Sequence, residues 1–350
     1  MLVTGHTGFK GSWLVAWLKR LGAQVTGLSL APDSGSIFLR CRLEELVDHH
    51  IDDIRTLEAV RRVVDRAAPD MLFHLAAQPL VRRSFVDPLE TLSTNFMGTA
   101  HVLEAVRLSG KPCACVVITS DKCYEPVKRA HAHLESDPMG GHDPYSMSKG
   151  AAELLVASYR HSFFSRDDKV LLASARAGNC IGGGDVSADR LLVDALKAFF
   201  QHRPLEVRNP SHIRPWQHVL DPLHGYLVLG AKLLNGSLAE RRAFAEPFNF
   251  GPLAEEAATV RTVVEILIEL LGEGRWVDVS GNPNPPENPL LMLDTQKARS
   301  RLPWRSLLPL KESLEWTAAW QRVAERGGDT VTMRKVTEEQ IERFMERMSA

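Results

Sequence analysis

The sequence predicts a doubly wound α/β fold, and three observations predict it. Short apolar runs alternate with stretches of helical period through the first 180 residues, a glycine-rich turn separates the first run from the first helix, and Pro- and Gly-rich loops break the pattern afterwards. The runs Met1–Thr4, Gln24–Leu30, Met71–Leu75, Ala114–Ile118 and Val170–Ala175 read as strands. Between them, Ser12–Leu21, Thr56–Ala67, Thr99–Ser109 and Ala151–Phe164 carry helical spacing. Strand, helix, strand in succession requires crossover connections and hence a parallel sheet. Residues 1–180 are therefore expected to form a Rossmann-type dinucleotide-binding domain. The first run is short at its start, so a few native residues are expected upstream.

After residue 180 the texture changes. Gly182-Gly183-Gly184, "RNPSHIRPWQHVLDP" and "GNPNPPENPL" interrupt the helices with loops. Residues 181–325 read as a smaller C-terminal, substrate-binding lobe. Its strand-like runs Pro247–Phe250 and Trp276–Val279 imply that it interleaves with the first domain. The polar tail 326–350 carries Ile341, Phe344, Met345 and Met348 as a helical stripe, expected to be a docking helix or an oligomer contact.

Composition sets the bounds. Apolar residues make up 44% and charged residues 24%, an ordinary soluble mix, and 42 basic against 43 acidic side chains leave a formal charge of −1. That balance argues against a nucleic-acid or membrane-surface partner. Cys41, Cys113, Cys115, Cys123 and Cys180 form no CxxC pair, and two of them fall in a core strand, which fits a reduced, cytoplasmic protein. No basic leader with an apolar stretch and no membrane-span-length run occurs.

"VTGHTGFKG" places Gly5, Gly8 and Gly11 between the first strand and the first helix, with Thr7, Phe9 and Lys10 in the same turn. Glycines allow a sharp turn and close backbone approach to a pyrophosphate, whose charge the helix N-terminus meets. Strand two ends in Ser29 and Ala31, with Asp33 further on, so the acidic residue that would select NAD over NADP is missing. "HHIDDI" supplies Asp53 beside Ile54, where an adenine amino group could be read or a helix capped.

"YSMSK" puts Tyr145 and Lys149 four apart at a helix start, hence on one face. A free Tyr has a pKa of about 10, and bringing it near 7 takes roughly 4 kcal/mol. A cation at about 4 Å in a half-buried site supplies roughly that much. Tyr145 is thus a candidate base for a sugar or alcohol hydroxyl, and Ser120 could hydrogen-bond the same oxygen. Ser120 also opens "TSDKCYEPV", which sets an acid and a base side by side, Asp121 and Lys122. Arg190, Arg208 and Arg214 are candidate partners for phosphate and base, because guanidinium forks suit phosphate oxygens, and Asn179 follows the last strand of the first domain in "RAGN". His131, His133 and the His49-His50 pair lack metal-ligand spacing and read as loop and surface residues; no metal is expected.

The glycine turn, "HLAAQ", "STN", a strand ending in a hydroxyl residue and YxxxK together resemble the extended short-chain dehydrogenase/reductase family, the NAD-dependent epimerases and dehydratases. The resemblance covers the whole chain. It implies NAD as cofactor, with Leu75, Ala76 and Ala77, Asn95 and Thr119 joining the glycine turn, Asp53, Ile54, Tyr145 and Lys149 around it, and Gln78 on the substrate side. Longer strings, "GHTGFKGSWL", "HLAAQPLVR", "TSDKCY", "PMGGHDPYSMSK", "AGNCIGGGD" and "NPSHIRPWQHVLDPL", resemble the branch that removes water from CDP-glucose on the way to deoxysugars of lipopolysaccharide O-antigen. In that branch Tyr145 would take the proton of the sugar 4-hydroxyl while NAD stores a hydride, Asp121 would protonate the departing 6-hydroxyl, and Lys122 would take the proton at carbon 5 or organise its removal. The sequence departs from the branch at Ala31 and Val186 and in the short first strand; none of these removes a catalytic group. The family also implies a homodimer or higher homo-oligomer. Two other readings stand beside this one: a dehydratase or epimerase for another nucleotide sugar, and a non-catalytic nucleotide-binding scaffold.

Overall fold

The computed structural model describes residues 1–126, 132–166, 168–253, 256–281 and 291–349. Seven strands form one parallel sheet: β1 (Leu2–Thr4), β2 (Thr26–Ser29), β3 (Asp48–Ile51), β4 (Met71–His74), β5 (Cys113–Ile118), β6 (Val170–Ala177) and β7 (Pro247–Phe250). Their order is β7-β6-β5-β4-β1-β2-β3. The direction of winding reverses between β1 and β4, so the loops leaving the C-terminal ends of these two strands diverge and open a crevice.

Side chains alternate along each strand, so the sheet buries two apolar faces. Leu2, Leu28, Leu72, Cys115 and Leu172 pack with Val60, Val64, Val102 and Val106 of the helices Leu57–Ala67 and Thr99–Ser109. Val3, Phe73, Val116 and Ala173 share the opposite core with Trp13 and Trp17 of the helix Phe9–Arg20 and Leu223 and Leu229 of the helix Leu220–Leu234. Each fully buried side chain of this size contributes about 1.5–3 kcal/mol, which is why the two-residue alternation decides the layering.

Two helices begin earlier than their apolar spacing suggests, and both differences matter for the site. The first starts at Phe9, with Gly8 as its N-cap, so its unpaired N–H groups face the glycine turn. The helix expected from Ala151 starts at Pro144. Proline suits a first turn, where its missing N–H costs nothing, and Asp143 caps the end by accepting from the Ser146 N–H at 2.9 Å. Tyr145 thereby falls in the first turn, the helix start at which the YxxxK spacing placed it.

The second half of the chain contributes β7 to the main sheet and builds a smaller layer of its own. There the parallel pair Leu205–Val207 and Trp276–Asp278 packs with the helices Leu191–Phe200 and Val260–Leu271 around Phe199, Val264 and Leu267. The tail forms the helix Thr330–Met348, which docks on the first helix of its own chain: Ile341 and Phe344 are buried, and the Phe344 ring meets Trp17 edge-on at 5.5 Å. Met348, at the end of that stripe, is exposed. All five cysteines are buried free thiols. Among the described residues no helix is long and apolar enough to cross a membrane. The string "GNPNPPENPL" lies, apart from Gly281, outside the described residues.

Candidate active site

The glycine turn is shaped by contacts that leave no room for side chains. Gly5 sits at φ +74° in the left-handed region, and a Cβ there would lie 2.6 Å from the Ala76 nitrogen; a Cβ on Gly11 would lie 2.0 Å from the Gly5 oxygen. Strand, turn, helix and the loop after β4 therefore close on one another. Thr7 fixes the far side: its hydroxyl donates to the Leu30 carbonyl at 2.9 Å and meets the Ser29 hydroxyl at 2.7 Å.

Above this turn lies a cavity of about 1670 Å³, large enough for a dinucleotide and a second ligand. It brings together Gly5, Thr7, Gly8, Phe9 and Lys10 with Asp53, Ile54, Leu75, Ala76, Ala77 and Thr119; Ser120, Asp121 and Lys122 with Tyr145 and Lys149; and Asn179 with Arg190, Arg208 and Arg214. Three expected residues do not line it. Gly11 serves by packing under Gly5. Gln78 is turned inward, its amide donating to the Leu80 carbonyl and to Thr91, and Asn95 grips the Gln78 backbone with both ends of its amide while donating to Ser148. Both residues shape the loop that carries Leu75–Ala77, because an amide saturated by buried partners has nothing left for a ligand. Asp53 lines the cavity but is no helix cap: its carboxylate holds the Arg55 guanidinium at 2.6 Å, and Thr56 stands at the N-cap of the next helix.

The acid/base groups converge from two elements. Ser120 ends the extended backbone after β5; its hydroxyl donates to Asp121 Oδ1 at 2.9 Å, and Lys122 Nζ reaches the same oxygen at 3.3 Å. Asp121 is fully buried, and its Oδ2 has no hydrogen-bond partner among the described residues. Tyr145 and Lys149 come from the Pro144–Tyr159 helix, one turn apart and both buried. Burial, and next the nearby Lys10 ammonium, push the Lys149 pKa down to about 8. Lys10, in the first turn of the Phe9–Arg20 helix, sits 6.0 Å from the Tyr226 ring centre. The floor of the site is thus strongly cationic.

On the other wall, Asn179 holds φ +36° and its Nδ2 is buried without a partner among the described residues, an amide donor awaiting an acceptor. Arg190 pairs with Asp185 at 3.1 Å, and Arg214 donates to the Ile213 carbonyl. Arg208 Nη1 approaches Asp189 Oδ1 at 3.5 Å, and Arg82 reaches the same oxygen from across the crevice at 3.3 Å. Arg82 escaped the sequence reading because one arginine in a short helix carries no pattern. His133 differs from its expected surface place: it is buried, its ring stacked on Tyr124 at 4.5 Å. His49 is likewise engaged, its Nδ1 2.6 Å from Nε2 of buried His6. His131 lies outside the described residues. No cluster of three or more His, Cys, Asp or Glu able to hold a metal occurs among the described residues.

The residues present fit a dinucleotide: a glycine cradle that any Cβ would fill, a helix N-terminus aimed into it, and a buried amide without a partner at the opposite end. Fold and site together define an extended short-chain dehydrogenase/reductase-type protein. The chain belongs to the GDP-mannose 4,6 dehydratase family, whose model matches residues 2–317. It is 45% identical, over 340 residues, to a CDP-glucose 4,6-dehydratase of Salmonella typhimurium (strain LT2), covering 96% of this chain and 94% of that one. Among solved structures it resembles the UDP-glucuronic acid 4-epimerase of Bacillus cereus in complex with UDP-glucuronic acid and NAD (TM-score 0.78, 21% identity, 92% of this chain and 98% of that one). It also resembles a double mutant of the dTDP-glucose 4,6-dehydratase DesIV of Streptomyces venezuelae with NAD bound (TM-score 0.76, 22% identity, 92% of this chain and 96% of that one). These two likenesses establish the fold.

Proposed function

We propose that this protein is an NAD-dependent CDP-glucose 4,6-dehydratase, a hydro-lyase converting CDP-D-glucose to CDP-4-dehydro-6-deoxy-D-glucose and water. The observation that carries the reading is the near full-length similarity to the Salmonella enzyme; the second acid/base pair, Asp121 and Lys122, in one cavity with Tyr145 and Lys149 supports it. Bound NAD supplies reversible hydride storage between carbon 4 and carbon 6 of the sugar. Tyr145 takes the 4-hydroxyl proton as that carbon is oxidised, with the Lys149 ammonium favouring the phenolate and Ser120 holding the same oxygen. Lys122, as the neutral amine, removes the proton at carbon 5, which the adjacent ketone has acidified, and Asp121 donates a proton to the 6-hydroxyl, which leaves as water; the proton held by Lys122 then returns to carbon 5 as the stored hydride is restored at carbon 6. A simple dehydrogenase needs only the first pair; elimination needs the second as well.

Thr7, Asp53, Ile54, Ala76 and Thr119 line the cofactor side, and Gly5 and Gly8 bring the backbone to the pyrophosphate. Arg82, Arg190, Arg208 and Arg214 face the nucleoside diphosphate, whose phosphates would replace Asp185 on Arg190 and Asp189 on Arg82 and Arg208. Exposed Met97 in the turn Ser93–Gly98, Leu108 on the helix Thr99–Ser109 that follows it, and Met147 and Leu154 on the helix Pro144–Tyr159 are apolar side chains suited to meeting a second copy of the chain; five buried free thiols fit a reducing, cytoplasmic setting. The deciding experiment is turnover of CDP-, dTDP-, UDP- and GDP-hexoses, read by the alkaline absorbance of the 4-keto product. CDP-glucose should have the highest kcat/KM, because a site built to bond one base leaves buried groups unpaired with another. Comparable values for dTDP-glucose would turn the assignment to another nucleotide sugar.

A further inference from the structure

The helix that carries Tyr145 and Lys149 repeats its four-residue spacing once more, at Glu153. This carboxylate is buried and lies outside the cavity lining, yet three side chains donate to it. Thr119, immediately before Ser120, donates to it at 2.5 Å; Ser174 of β6 donates at 2.8 Å; Arg176 of β6 donates at 2.8 Å through Nη2. Through Nη1 the same guanidinium reaches the Tyr124 hydroxyl at 2.8 Å and the Glu135 carbonyl at 3.0 Å. Tyr124 in turn donates to Asn249 of β7 at 2.6 Å. One buried ion pair therefore joins the catalytic helix, the strand end bearing Ser120 and Asp121, the strand leading to Asn179, and the segment around Glu135.

A buried pair of this kind is poor evidence for stability, since desolvating both charges cancels much of their attraction. Its place in the fold suggests another use. Residues four apart on a helix face one another at about 5–6 Å, so Glu153 presents a negative charge to Lys149 from below while Lys10 presents a positive one from across the site. We propose that Glu153, clamped by Arg176, is a positioning residue for the Tyr145–Lys149 pair: it fixes their helix against the ends of β5 and β6 and holds Lys149 in its charged form. This rests on the reading of Tyr145 as the base. The groups facing Lys149 are Lys10 from the first helix, neutral His74 from β4, Cys123 from the turn after β5, and Tyr145 and Glu153 from its own helix; Arg176 and Arg160 face Glu153. The directions agree with the geometry. Burial works to raise the Glu153 pKa, but Arg176 and the hydroxyls of Thr119 and Ser174 outweigh it and hold the group low. Cys123 and, after it, Glu153 oppose the burial and the Lys10 charge that lower Lys149.

The sign of the effect is fixed. An ammonium whose pKa is already about 8 loses its proton just above neutrality once a nearby negative charge is removed. In Glu153→Gln the alkaline limb of the kcat/KM–pH profile should therefore move down by about one unit, a shift consistent with a charge one helical turn away, with KM at the acid side within about twofold of wild type. Glu153→Asp keeps the charge but shortens the reach: its limb should stay in place while kcat falls about tenfold. A folded Glu153→Gln with an unmoved limb overturns the electrostatic half. Wild-type kcat in Glu153→Asp overturns the positioning half and decides the matter if the Gln variant does not fold. Tyr145→Phe separates the two levels: if it stays active, the reading of the base falls, whereas a dead Tyr145→Phe beside wild-type Glu153 variants removes only this inference.

Discussion

One carboxyl oxygen of Asp121 is shared by the Ser120 hydroxyl and Lys122 Nζ, and the other has no hydrogen-bond partner among the described residues. A group held at one atom and free at the other can pass a proton without losing its place. If elimination is their task, Asp121→Asn and Lys122→Met should each block loss of water more than the first oxidation. In a single turnover both variants should accumulate the absorbance of reduced cofactor, with the product fraction a 4-keto hexose that retains its 6-hydroxyl. Normal substrate binding without any such absorbance would place the altered residue in the first hydride transfer instead. The adjacency of Asp121 and Lys122 was readable in the sequence. That Ser120 holds Asp121 was not, because consecutive residues in extended backbone point to opposite sides and the bond forms only where β5 gives way to the turn Asp121–Cys123.

At the scale of elements, the end of β6 passes so close to that turn that a Cβ on Gly178 would lie 1.9 Å from Asp121 Oδ2 and 2.3 Å from its Cγ. Backbone at the end of a central strand has little freedom to move. Gly178→Ala should therefore push the carboxyl off its position, costing about 1–3 kcal/mol in stability but reducing turnover by about two orders of magnitude, as expected for a misplaced acid. Thermal unfolding and kcat measured on the same preparation check this; wild-type kcat would mean that Asp121 is not held by this contact. The helix Pro144–Tyr159 teaches a second lesson at this scale. Its apolar spacing marks the part from Ala151 onward, whereas its true start is set by the Asp143 cap and Pro144, polar signals that hydrophobic period does not register.

For the molecule as a whole, the tail helix completes the dinucleotide side. Phe344 is buried between Trp17 and His224, and Arg20 on the same helix as Trp17 pairs with Glu342 at 2.8 Å. The helix that begins beside the glycine turn is thus backed by residues more than 320 positions later in the chain. Phe344→Ala should lower unfolding free energy by about 3–5 kcal/mol, read from urea denaturation, and weaken NAD binding alongside it. A stability loss below about 1 kcal/mol would show the tail to be an appendage. The exposed Arg20–Glu342 pair is expected to add little, since such surface pairs are worth about 0–1 kcal/mol.

The sequence by itself determined whatever depends on neighbours along the chain. Alternating strand and helix periods specify a parallel sheet; three glycines at fixed spacing specify the turn; Tyr145 and Lys149, four apart, must share a helix face. Tertiary structure decided whatever depends on who is opposite. Gln78 and Asn95 look like ligand residues in their strings, yet the structure gives the Asn95 amide to the Gln78 backbone and Ser148, and the Gln78 amide to the Leu80 backbone and Thr91. Arg82 and Arg208 meet at Asp189 across the crevice, although Arg82 and Asp189 lie 107 positions apart. Arg176 finds Glu153 at a separation of 23, from a neighbouring strand rather than the same helix. The physical reason is one of range. Backbone dihedrals, caps and side-chain periods act within a turn or two and can be read in order, whereas a buried polar group takes its partner from whichever strand end or helix face the packed layers set beside it, and only the folded chain contains that information.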